Sequence, residues 1–218
     1  MPIIDRPVEF NAESLALIEK KNSDPAFTHT NWGDDDLKAL RAEVRNHYRT
    51  IQRLQCVYCK EPIGIRAAHA APIEHIVPKS QYLEFIFEPK NLCVICPDCN
   101  EYKGKNEVLH KPVITGTRRK RYPTASSSFR IVHPHIDDYE AHIIKANRVY
   151  VDLTPKGHYT IGICKLNRFF HHFGACDEFI NDAKIAEANE LFFSMGVVDK
   201  SSLLEETRTG NLTNVLFP

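Results

Sequence analysis

Two Cys-x-x-Cys pairs, Cys56/Cys59 and Cys96/Cys99, bracket a Glu74-His75 dipeptide and an asparagine at 91, and a second asparagine, Asn100, follows the last cysteine. Each pair bends into a tight knuckle that offers two thiolates. Together the pairs can close a tetrahedral shell around one zinc ion. A shell of four thiolates has no open position, so that zinc is structural. The interval between the pairs is longer than in a compact zinc ribbon. Whole elements must therefore lie between the knuckles, and the ion clamps their ends. Cys93 stands three residues before Cys96 and reads as a small buried apolar residue on a strand. Glu74 and His75 carry a different chemistry. Neighbours on a strand point to opposite faces, so one can hold a metal while the other addresses a water.

The elements that must position these groups follow from the flanking residues. Ile73, Ile76 and Val77 suit a strand that Pro78 ends. Residues 91–95 (Asn-Leu-Cys-Val-Ile) read as the returning strand, and Asn100 to Leu109 as a short helix. The expected order is strand, loop, strand, helix. Lys103 and Lys105, about one turn beyond Asn100, are placed to reach phosphates.

Three segments together resemble a known motif. These are Glu-His-Ile-Val-Pro-Lys-Ser at 74–80, Asn91-Leu92, and Cys-Pro-Asp-Cys-Asn-Glu-Tyr-Lys at 96–103. They are similar to the HNH nuclease motif of the ββα-metal (His-Me finger) class in its four-cysteine form. The resemblance implies that His75 is the general base and that Glu74 and Asn100 hold a catalytic divalent ion. It implies that Asn91 pins the loop that orients His75. Carboxylate and amide oxygens are hard ligands, which suits Mg²⁺ or Mn²⁺. The implied reaction is phosphodiester hydrolysis in DNA. Two positions depart from the commoner pattern: the family more often has Asp before the histidine, and many members have His where this chain has Asn100. Glu keeps the charge but adds a methylene, which alters the reach to the ion. The alternative is a non-catalytic zinc module that binds nucleic acid or a partner, and the intact Glu74, His75 and Asn100 set argues against it.

The rest of the chain reads as delivery. Residues 1–36 form an N-terminal arm, with a helical pattern at Ala12–Lys20. Residues 37–110 hold the nuclease core and the helix before it, in which Leu37, Leu40, Val44, Tyr48, Ile51 and Leu54 recur at helical spacing. That helix carries Lys38, Arg41, Arg45, Arg49 and Arg53 on its outer face, open to solvent or to DNA. Residues 111–128 form a basic loop whose Arg118-Arg119-Lys120-Arg121 cluster is a candidate phosphate contact. Residues 129–218 form a hairpin and a helical lobe. The hairpin is expected between Val149–Asp152 and Tyr159–Ile163, across a Thr154–Gly157 turn. His133, His135, Asp138 and His142 fit no defensible ligand spacing and read as a structural network. The expected class is α+β.

Lysine plus arginine equals aspartate plus glutamate at 28 each, so net charge does not speak for nucleic acid. Its distribution does. Residues 101–130 hold eight basic and two acidic residues, and residues 177–207 reverse those numbers. No leader or long apolar run is apparent, and seven cysteines suit a reducing cytoplasm, with Cys164 and Cys176 as free thiols. The His-Pro-His-x-Asp-Asp-Tyr segment from His133 and the Leu166-Asn167-Arg168 start also resemble bacterial anti-phage HNH nucleases. These work beside an ABC-type ATPase in Septu-like and retron-associated systems. The resemblance implies a role in phage defence, with DNA and an ABC-type ATPase as partners and the acidic helices as a docking face.

Overall fold

Helix α2 (Lys38–Ile51) supports the small sheet at the centre of the α+β fold. The computed structural model describes residues 2–112 and 121–174. Leu40, Val44 and Tyr48 recur four apart and are buried, forming the stripe that packs inward. Just past its end, Gln52 completes the sheet edge. Its Oε1 accepts from Val94 N at 2.9 Å and its Nε2 donates to Val94 O at 2.7 Å. A side-chain amide thus stands where a third strand would pair.

That sheet has two short antiparallel strands, β1 (Ile73–His75) and β2 (Leu92–Val94), with Glu74 opposite Cys93 and His75 opposite Leu92. Helix α3 (Pro97–Lys103) follows directly. Cys96 caps it, Pro97 opens it, and Gly104 ends it with a positive φ of 47°, a conformation that suits glycine. The expected order of strand, loop, strand and helix is present, with a helix that stops short of Leu109.

Helix α1 (Ala12–Ser23) is capped by Asn11, whose side chain accepts from Ser14 N at 2.8 Å. The segment around it is more than an arm. Ile4, Val8, Phe27 and Trp32 belong to the same buried cluster as the sheet.

The basic face of α2 is largely committed within the fold. Arg41 donates to the carbonyls of Trp32 and Asp34, Arg45 to that of Ala71 at 3.0 Å, and Arg49 to that of Ala67 at 2.7 Å. These guanidinium groups satisfy loop carbonyls that would otherwise lack donors. Lys38 and Arg53 remain exposed.

The second sheet differs from expectation. Strand β3 (Ile143–Ala146) pairs with β4 (Val149–Asp152) across Asn147, which has φ 54°. Residues Pro155–Cys164, expected to contain the returning strand, form helix α4. Thr154-Pro155 fits a turn, but it also fits a helix start. Here Thr154 Oγ1 accepts from Gly157 N and Pro155 takes the first helical position. Asn167 then fastens the start of α5 (Arg168–Phe173) to β4, bonding both backbone groups of Tyr150 at 2.8 and 2.9 Å. Tyr150 and Tyr139 donate their hydroxyls to the carbonyls of Cys59 and Tyr58. The hairpin module is therefore bolted to the first cysteine knuckle. Among the described residues no helix is long and apolar enough to cross a membrane.

Candidate metal centre and nuclease site

Cys56, Cys59, Cys96 and Cys99 converge, all buried, with their sulfur atoms within 4.8 Å of one another. Among the described residues this is the one group of three or more His, Cys, Asp or Glu side chains that could hold an ion. The donor set fits zinc: four soft sulfurs, a Cys59–Cys96 separation of 3.6 Å, and a backbone amide from Cys99 donating to Cys96 Sγ at 3.4 Å. Four thiolates around a divalent ion leave a net negative centre. Arg168 answers it, with Nη2 and Nη1 each 3.9 Å from the sulfurs of Cys96 and Cys99, and an ion pair to Asp98 at 3.1 Å. Arg168 stood in the sequence only as the start of a helix. Its role depends on a contact across about seventy residues of chain.

His75 lies on β1, only 4 % exposed. Its Nε2 is 3.0 Å from the carbonyl of Ile86. A carbonyl only accepts, so Nε2 carries the proton and Nδ1 is the nitrogen with a free lone pair. Trp32 meets the ring edge-on, with centroids 4.6 Å apart. Burial, aided by the Lys79 ammonium, pushes the His75 pKa down to about 3. The ring is therefore neutral across the physiological range.

Asn91 is fully buried and sets the loop that carries Ile86. Its Oδ1 accepts from Val77 N at 2.7 Å, and its Nδ2 donates to Val77 O at 3.1 Å and Phe85 O at 3.0 Å. Val77 is two residues past His75, and Phe85 precedes the carbonyl that holds the imidazole. One amide thus clamps both ends of the support for His75. A further chain of bonds reaches Asn91 from outside. His135 N donates to His133 Nδ1 at 3.2 Å, His133 Nε2 lies 2.8 Å from Tyr122 Oη, and Tyr122 donates to Asn91 Oδ1 at 3.2 Å. His135 Nε2 bonds the Leu92 carbonyl, and His142 Nδ1 bonds Thr154 Oγ1. His133 and His135 thus join one chain of bonds to Asn91 and Leu92, and His142 holds Thr154 apart from it. Tyr122 had no distinguishing sequence signal.

Glu74 is buried beside Lys103, whose Nζ pairs with Glu74 Oε1 and donates to the His75 carbonyl at 3.2 Å. The ammonium is the charged partner of that oxygen. Burial pushes the Glu74 carboxyl above the usual range, against the pull of Lys103. Lys103 is 0 % exposed, which corrects the expectation that it grips phosphate. An ammonium sealed against a carboxylate cannot meet a nucleic acid. The helix turn places residue 103 inward and leaves its neighbours outside: Asn100, Tyr102 and Lys105 are exposed. Arg121 is exposed too, whereas Arg118, Arg119, Lys120 and the acidic 177–207 stretch lie outside the described residues. Cys93 and Cys164 are buried free thiols, and Cys176 lies outside the described residues.

Residues 56–106, which hold the two strands, one helix and four clustered cysteines, match the HNH endonuclease family. A match also extends beyond it. Over 137 residues the chain is 24 % identical to the Septu protein PtuB of Bacillus thuringiensis, covering 63 % of this chain and 43 % of that protein. The chain thus spans less than half the length of that relative.

Proposed function

We propose that the protein is a divalent-metal-dependent endonuclease that hydrolyses phosphodiester bonds in DNA and serves bacterial anti-phage defence beside an ABC-type ATPase. The similarity to a Septu protein supports the defence setting. The observation that carries the chemistry is the buried His75, held through Nε2 by a carbonyl that Asn91 indirectly fixes.

Hydrolysis needs a deprotonated water, charge on the phosphate oxygens and help for the leaving 3′-oxygen. His75 Nδ1 takes the water proton. Its low proton affinity in the free protein reflects burial, and the negative charge developing on an adjacent phosphate raises that affinity as the proton moves. Asn91 keeps the lone pair aimed, since a ring free to rotate would lose the line to the water. Glu74 and Asn100 supply hard oxygen donors for a catalytic ion. A bound Mg²⁺ or Mn²⁺ there would neutralise phosphate charge and stabilise the leaving oxygen. Exposed Lys105 and Arg121 and the 118–120 cluster would meet the backbone phosphates.

The test is DNA cleavage by the purified protein, alone and with its partner, in Mg²⁺ or Mn²⁺. Chelator should stop it. His75→Ala should retain the fold and lose about 10²–10⁴-fold in rate. Activity of His75→Ala within a few-fold of the unchanged protein would remove His75 from the role of base.

A further inference from the structure

Lys103 is an unusual group to find beside a candidate ligand for a divalent cation. It is completely buried, paired with Glu74 and tied to the His75 carbonyl, so it cannot swing away when an ion arrives. A second ammonium, Lys79, half-buried four residues past His75, also faces Glu74. His75 is neutral. Near Glu74 the charges are therefore one carboxylate against two ammonium groups. A divalent ion entering that field meets net repulsion, and repulsion between fixed charges is strong where water is scarce. A DNA phosphate brings the missing negative charge.

We propose that Lys103 acts as the internal counter-ion of Glu74 in the metal-free protein and so makes uptake of the catalytic ion depend on bound DNA. This rests on the reading of Glu74 as an ion ligand. Lys103 is a positioning residue here, because it is sealed from solvent and acts through Glu74. Its fixed charge occupies the carboxylate until a phosphate offsets the surplus. Binding of DNA and of the ion then become reciprocal: each strengthens the other by one factor. The arrangement guards the site against filling, and against idle hydrolysis of small phosphates, before the duplex is seated.

The experiment measures Mn²⁺ binding by electron paramagnetic resonance, with and without a DNA duplex, in a His75→Ala background that prevents cleavage. DNA should tighten Mn²⁺ binding by about tenfold or more, within the usual range of coupling between sites. Adding Lys103→Met should tighten binding without DNA by a similar factor and bring the DNA effect close to one. Lys79→Gln, at a half-buried position outside the hydrophobic cluster, should move both quantities in the same direction by less. It decides the question if Lys103→Met fails to fold, as judged by zinc content and melting. Glu74→Gln should abolish binding in both conditions. Mn²⁺ binding that survives Glu74→Gln removes the ligand assignment and the inference with it. Loss in Glu74→Gln with unchanged coupling in Lys103→Met and Lys79→Gln overturns the inference alone, as does equal Mn²⁺ affinity with and without DNA.

Discussion

Asn91 uses all four hydrogen-bonding positions of its amide, on Val77 N, Val77 O, Phe85 O and Tyr122 Oη. A buried side chain so fully engaged carries a large cost of removal, because each partner is left without a substitute. Asn91→Ala should destabilise the protein on the order of 3–5 kcal/mol, read as a lower urea midpoint with unchanged slope. Cleavage should fall further than the unfolded fraction explains, since the Ile86 carbonyl then loses its fixed place against His75. A loss of stability below about 1 kcal/mol would mean that the loop holds itself. Lys103 illustrates the limit of reading residues singly. Spacing alone puts it with the basic residues near Asn100, but its burial against Glu74 gives it the opposite task.

At the scale of elements, two joints decide whether the site exists. The first is the cysteine cluster, which ties the loop before β1 to the start of α3. Zinc binding to such a site is also folding free energy. The protein should contain one tightly held zinc per chain, and Cys96→Ser should fail to fold stably. Elemental analysis and melting would check this, and a soluble, fully active Cys96→Ser protein is the contrary result. The second joint is the contact of α4 with the hairpin. A Cβ placed on Gly157 would lie 2.0 Å from the His142 carbonyl oxygen, closer than any real contact. Gly157→Ala must push helix and strand apart, at a cost of about 3 kcal/mol, while the cysteine cluster retains its zinc. A melting temperature equal to that of the unchanged protein would contradict the packing.

For the whole molecule, the buried His133 and half-buried His135 tie stability to pH. His135 bonds the Leu92 carbonyl, and burial pushes its pKa down to about 4, from 6.5 in the unfolded chain. The folded state therefore binds the proton less readily than the unfolded state. Stability is complete above about pH 6.5 and is lost as pH falls toward 4, by on the order of 3 kcal/mol from this group. His133 is lowered well below its ordinary value by the same cause and adds in the same direction. Denaturant titrations between pH 7 and 5, where zinc content is confirmed to be intact, should show the decline. His135→Gln, which can still donate to Leu92, should flatten it. A slope unchanged by His135→Gln would place the acid sensitivity elsewhere.

The parts legible in the sequence are those whose partners are close along the chain or recur with a fixed period. The cysteine pairs sit at knuckle spacing, Glu74-His75 and Asn91 share one short strand-loop-strand unit, and the apolar face of α2 repeats with the helix. The position of Asn91 could be read, although its reach to Phe85 and Tyr122 could not. What the tertiary structure alone decided concerns groups whose role is set by neighbours distant in sequence. The guanidinium groups of Arg41, Arg45 and Arg49 look like a phosphate-binding face, yet they cap loop carbonyls. Thr154-Pro155 is chemically suited to a turn or a helix start, and pairing of β3 with β4 leaves the residues after it free to coil. Lys103 lies on the inward side of α3 because a buried carboxylate waits there. A charge takes its function from what lies within a few ångströms of it, and that distance is a property of the folded chain.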